Sequence, residues 1–175
     1  DWPRGFEGGI AHRLDNSTSG AVWVADDLEE LELMRDLFAS KRLLKTYRFI
    51  AAKDPPWHHN RCDLPLASDR RRRARVVVKR GRNTPHKGKW NPASTRFRRI
   101  IGELWEATMS TGYRHQIRVH AGFLGIPLLG DRMYGGGEPP EDVGEGVKFF
   151  LHHVGLVGPG SWRTDPVEMP TWAVD

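Results

Sequence analysis

Leu28, Leu31, Met34, Leu37 and Phe38 recur at three- and four-residue steps along one stretch of this chain. That spacing is the stripe of an amphipathic helix. It predicts a helix over 27–40, with Asp26 or Asp27 placed to accept hydrogen bonds at its N-terminus. Elsewhere the short apolar runs and alternations are those of strands. Ala21-Val22-Trp23-Val24-Ala25 predicts a strand over 20–25. Further strands are expected over 43–52, near 74–79 and 94–99, over 103–110 and over 147–157. Residues 114–124 are ambiguous, because Ile117, Val119, Ala121 and Phe123 alternate as in a strand while Phe123 with Leu124 also admits a helical face. Residues 1–10, 53–68, 135–146 and the tail read as irregular. No internal repeat or linker interrupts this order. The mixture predicts one α+β domain, 1–175, on a mostly antiparallel sheet.

Composition narrows the class. At 175 residues, 38% hydrophobic and 28% charged, the chain suffices for one domain with a real core. No apolar run approaches a membrane span, and no N-terminal stretch has the layout of a signal peptide. Cys62 is the single cysteine, so no intrachain disulfide forms and a cytoplasmic setting is expected. Neither a metal-ligand framework nor a supported thiol nucleophile is visible, and no cofactor is expected. The adjacent pairs His58-His59 and His152-His153 would point to opposite faces of a strand, which suits metal binding poorly.

The net charge of +5 is unevenly placed. Thirteen of the 27 Lys and Arg residues fall between Arg70 and Arg99, a span without Asp or Glu. Such a block fits a surface that faces a polyanion. Val76-Val77-Val78 within it suggests a basic hairpin rather than a loose tail. Arg70, Arg71, Arg72, Arg73, Arg75, Lys79, Arg80 and Arg82 are the candidate phosphate contacts, acting with little sequence preference.

The candidate chemistry starts at His12-Arg13-Leu14-Asp15-Asn16-Ser17-Thr18-Ser19-Gly20, where an acid stands on a tight loop entering an apolar stretch. Alone this is ordinary turn chemistry. A second segment changes its weight: Thr111-Gly112-Tyr113-Arg114-His115-Gln116-Ile117-Arg118-Val119-His120, continued by Gly125-Ile126-Pro127-Leu128-Leu129-Gly130-Asp131 and Tyr134-Gly135. The first block resembles the HRLDxxTSG signature of the RluA-type pseudouridine synthases, and the second their TGRxHQIRxH block with its GxPxxGDxxYG continuation. Between them Lys45-Thr46-Tyr47 is similar to the family's KxY strand, and Ala93-Ser94-Thr95-Arg96-Phe97 to its AxTxF strand. Leu151-His152-His153 resembles the late LHA strand. The five blocks stand in the family's order. One departure is Tyr113, where the family usually has Arg; Arg114 follows one place later.

The resemblance implies the pseudouridine synthase fold, a bent sheet flanked by helices and loops around a central cleft, and turns 114–124 into a helix. Family members normally carry strands before the HRLD block, and some add an S4-like domain; only eleven residues precede His12 here, so those strands are expected to be short or missing. It implies isomerisation of uridine to pseudouridine in ribosomal or transfer RNA by a chain expected to be monomeric. Asp15 matches the catalytic aspartate, and Arg118 matches the basic residue assigned as its salt-bridge partner. Tyr47 matches the aromatic on which a flipped base stacks, a contact worth about 1–3 kcal/mol. Arg13, Arg114, His115, Gln116 and Leu151 are expected to line the substrate site, Leu151 either beneath the base or simply in the core. Gly125 and Gly130 with Asp131 lack the strand–loop–helix order of a nucleotide-binding loop and are expected to carry no chemistry. Two other classes remain open at this point: a non-catalytic RNA-binding protein or chaperone using the same cleft, and a carboxylate-dependent glycosidase or nucleosidase. The latter lacks a second acid at suggestive spacing from Asp15.

Overall fold

The computed structural model describes residues 5–141, 147–164 and 167–173. Among these residues, nine strands form two sheets with a helix between them. The larger sheet has six strands in the order β1-β9-β2-β8-β7-β3: β1 (Ser19–Gly20), β9 (Leu151–Val157), β2 (Leu44–Ile50), β8 (Leu104–Met109), β7 (Thr95–Ile101) and β3 (His59–Cys62). Every pairing is antiparallel except that of β1 with β9. In β2 the alternation puts Lys45, Tyr47 and Phe49 on the buried face. The smaller sheet sets β4 (Leu66–Asp69) between β5 (Val76–Val78) and β6 (His86–Asn91).

Helix α2 (Gln116–Phe123) is covered on both sides. Ile117 and Ala121 pack with Phe49, Phe97, Trp105 and Leu128 against the large sheet. Val119 packs with Leu66, Val76 and Val78 of the small one. All residues from Gln116 to Ala121 are buried, so the sequence shows no clean apolar stripe. Helix α1 (Leu28–Ala39) lies outside, burying Leu31 and Met34 against Phe6 and Ala25. Of the two candidate caps, Asp27 does the work by accepting the Glu30 N–H at 2.8 Å. The result is the α+β class expected, a largely antiparallel sheet flanked by helices.

Four expectations need correction. The strand over 20–25 shrinks to Ser19–Gly20. Beyond it the backbone is satisfied by loops: Trp23 N donates to His12 Nε2, Ala25 N donates to Gly9 O, and only Val24 bridges Ile10. The loop over 53–68 contains β3 and the start of β4. Strand β3 is an edge strand with three of its four residues exposed, which erases the apolar alternation. The basic hairpin is instead a three-stranded sheet, because β5 and β6 both pair with β4 and not with each other. The strand near 94–99 belongs to the large sheet, and the last strand starts at Leu151 rather than 147. Residues 1–4 of the first irregular segment, 142–146 of the Gly-rich loop and 165–166 and 174–175 of the tail lie outside the described residues.

Candidate active site

The loop carrying Asp15 is fastened at both ends. At its start, burial lowers the His12 pKa to about 4, with the charges of His153 and Lys45 acting in the same direction. The ring is therefore neutral at pH 7, and its Nε2 accepts the Trp23 N–H at 3.0 Å. Within the loop, Thr18 N donates to Asp15 O at 3.0 Å, and Ser17 takes a left-handed φ of 70°. At its end, Ala21 N donates to His153 O, His153 Nδ1 donates back to Ala21 O at 2.6 Å, and Ser19 Oγ bonds His152 Nδ1 at 2.9 Å. So held, the Asp15 carboxylate is 29% exposed and faces a cavity of about 800 Å³. A small ligand or an everted base fits such a volume.

Three distant segments meet at this cavity. Asp15 enters from the first loop, Tyr47 from β2 and Arg118 from α2, with Leu151 of β9 beside them. Tyr47 is buried, and its ring stacks on His153 with centroids 4.5 Å apart and planes 27° from parallel. The ring also borders the cavity. Burial pushes the Tyr47 pKa well above the ordinary phenol value, and the Asp15 charge adds to the shift. Leu151 serves both ways, as a core residue and as part of the cavity wall.

Arg118 forms the expected ion pair with Asp15, but as a long one. Its Nη1 lies 3.9 Å from Asp15 Oδ2, beyond hydrogen-bond length. Its two short bonds go to Asp131: Nε donates to Oδ2 at 2.7 Å and Nη2 to Oδ1 at 2.9 Å. Its Cζ lies over the rings of Phe149 and Tyr134, 4.3 and 5.2 Å from their centroids. Asp131, set aside on sequence grounds, is therefore the main partner. Asp131 is the only acid between Glu106 and Glu138, but its role follows only from the burial of Arg118, which calls for a carboxylate partner.

Lys45 is a second residue that sequence reasoning passed over. It is 8% exposed, and burial lowers its pKa to about 8. Its ammonium donates to Thr111 O at 3.0 Å. Gly112 lies beside it, a Cβ there coming within 2.7 Å of Lys45 Nζ.

The remaining expected contacts divide. Arg13 and Arg114 are exposed on the cavity rim, and Tyr113 lines it between β8 and α2. His115 is left-handed at φ 56° just before α2, and its Nδ1 shares a 2.9 Å hydrogen bond with the Tyr134 hydroxyl. Burial, reinforced by Arg118, lowers its pKa. Gln116 reaches the cavity wall, but its amide is already engaged. Its Oε1 accepts from Thr111 Oγ1 and Tyr113 N, and its Nε2 donates to Ser94 O and Thr95 Oγ1. Thr95 is in turn bonded to His120 Nδ1 at 2.8 Å. Gln116 thus braces the loop before α2.

The basic residues sit on the small sheet. Arg70 to Arg73 are exposed in the turn between β4 and β5. Arg70, Arg71 and Arg82 share a cavity of about 510 Å³ with Thr84 and His86. Lys79 and Arg80 are exposed, Arg80 lying 5.6 Å from the Phe123 ring. Arg75 is half-buried over Tyr134 at 5.7 Å, so it is a less open phosphate contact than its neighbours. Among the described residues no cluster of three or more His, Cys, Asp or Glu side chains is placed to hold a metal ion, and no helix is long and apolar enough to cross a membrane.

An uncharacterized RNA pseudouridine synthase of Chloroflexus aurantiacus is 34% identical over 171 residues, covering 93% of this chain and 50% of that protein. The ribosomal large subunit pseudouridine synthase D of Borreliella burgdorferi is 33% identical over 131 residues, covering 73% of this chain and 38% of that protein. The chain thus spans about half the length, or less, of these relatives. The fold matches that of the human RNA pseudouridylate synthase domain containing 1 protein with a TM-score of 0.73 at 24% identity, over 92% of this chain and 68% of that one. The family model for RNA pseudouridylate synthase matches residues 3–122, a span that brings Asp15, Tyr47 and Arg118 to one cavity. By that match over more than half of its length, the chain belongs to the RNA pseudouridylate synthase family.

Proposed function

We propose that this chain converts uridine to pseudouridine in structured RNA, ribosomal or transfer. The observation that carries the proposal is the convergence of Asp15, Tyr47 and Arg118 on one cavity in a chain of this family. The reaction breaks the C–N glycosidic bond, turns the uracil while it is held, and joins C5 to C1′. Nothing is oxidised or hydrolysed, so one positioned carboxylate suffices. Asp15 acts on the ribose, as nucleophile at C1′ or as the base that removes a sugar proton, with Arg118 presenting positive charge beside it.

The target base must leave its stack before C5 and C1′ can be rearranged. Tyr47 receives it on the ring face that His153 does not cover. The stacked His153, tied to Ala21 O, holds that platform still. Arg13 and Arg114 on the rim and the arginines of the small sheet hold flanking phosphates.

The test uses unmodified RNA, chemical labelling of new pseudouridine and the Asp15→Ala variant. The wild type forms pseudouridine; the variant binds the RNA with similar affinity and forms none. An unaffected variant would point to an RNA-binding protein without this chemistry, and release of free uracil would point to a hydrolase.

A further inference from the structure

We propose that Asp131 is a positioning residue that divides the Arg118 guanidinium between two carboxylates and leaves Asp15 only one end of it. The inference rests on Asp15 being the reacting group. An arginine beside a carboxylate ordinarily closes on it with two parallel hydrogen bonds. Here the Nε/Nη2 edge is already taken by Asp131 at 2.7 and 2.9 Å. Only Nη1 faces Asp15, and it stops at 3.9 Å. Rotation to offer Asp15 a full edge would break both bonds and lift the guanidinium off Phe149.

The turn that carries Asp131 is fixed by its own backbone. Asp131 N donates to Leu128 O at 3.0 Å, and Asp131 O accepts from Tyr134 N and Gly136 N. A Cβ at Gly136 would lie 1.7 Å from Leu128 O, so glycine alone allows the turn to close. Asp131 is 2% exposed, which suits a permanent anchor better than a second reacting acid. Its consequence is chemical. Asp15 has a cation at hand, yet its oxygens are not locked in a two-pronged ion pair and remain free for the ribose. Two acids around one guanidinium also leave the trio with one net negative charge, carried on the side that opens to the cavity.

The decisive variant is Asp131→Asn, with Asp131→Glu beside it. The asparagine keeps the volume but loses the charge and one acceptor, which frees Arg118 to close on Asp15. For Asp131→Asn, kcat for pseudouridine formation is expected to fall about 100-fold, the scale of an ångström-sized misplacement in an active site. KM for the RNA should stay near the wild-type value. Asp131→Glu should recover part of the lost kcat. All rates are taken below the melting temperature of each variant, so that loss of folded protein does not enter. Unchanged kcat in Asp131→Asn, or kcat and KM changing together with no recovery in Asp131→Glu, overturns the proposal while leaving the proposed function intact. A wild type that forms no pseudouridine overturns both.

Discussion

Gly20 and His153 approach so closely that a Cβ on Gly20 would meet the His153 carbonyl oxygen at 2.2 Å. Gly20 also has a φ of 111°, outside the range that other residues adopt readily. The contact is the parallel pairing of β1 with β9, and it closes the loop on which Asp15 stands. The glycine is therefore part of how the carboxylate is aimed.

Gly20→Ala should push the loop off β9. The expected cost is about 2–4 kcal/mol in stability, from backbone strain and a backbone clash together. Pseudouridine formation should fall further than the loss of folded protein explains. Urea unfolding with turnover measured on the folded fraction checks this. A variant within about 0.5 kcal/mol of wild type, the range of an ordinary surface change, would mean that the loop accommodates the methyl group and that the pairing does not aim Asp15.

Lys45 supplies a pH dependence whose sign can be worked out. Its folded pKa is about 8 against an ordinary value of 10.5, and burial is the cause. Below pH 8 the ammonium is charged in both states, and the folded protein carries the full burial cost. Between pH 8 and 10.5 the unfolded chain holds more protons, so stability rises with pH. Lys45→Met removes the group. The stability of wild type relative to Lys45→Met should therefore improve by about 3 kcal/mol between pH 7.5 and 10.5, following the size of the shift. Parallel melting of the two proteins across that range tests it. A difference that does not change with pH would place the amine in a wetter site than the Thr111 hydrogen bond implies.

Much of this arrangement was legible because local chemistry and tertiary role coincide. The α1 stripe of Leu31 and Met34 faces a single core, and the alternation of Lys45, Tyr47 and Phe49 faces a single side of the sheet. Asp15 and Tyr47 were readable through motifs of fixed spacing. What escaped had its pattern set by neighbours the sequence does not display. Helix α2 is buried on both sides, so its apolar residues mimic a strand. Strand β3 lies at an edge and β6 exposes Lys87, Gly88 and Lys89, so neither shows a buried alternation. Asp131 escaped for a different reason. Its meaning depends on Arg118 being buried between Phe149 and Tyr134, and only the folded chain shows that Asp15 cannot serve as the main partner.

The small sheet gives the last prediction. Its arginines are exposed, which suits contacts with phosphate. Every phosphate neutralised releases counterions, and each contact adds about 0.7–0.9 to the steepness of log affinity against log salt. Replacing Arg70, Arg71, Arg72 and Arg73 together with Gln should weaken RNA binding and make that dependence shallower by about 1 to 3, since not all four reach the backbone at once. Turnover at saturating RNA should persist, because Asp15, Tyr47 and Arg118 stand in a separate cavity. Titrations at a series of salt concentrations, paired with single-turnover rates, separate the two effects. An unchanged slope would remove this turn from the RNA path. Turnover lost at saturating RNA would instead make the turn part of the reacting site, reached through β5, whose Val76 N–H donates to the Tyr134 hydroxyl that also bonds His115.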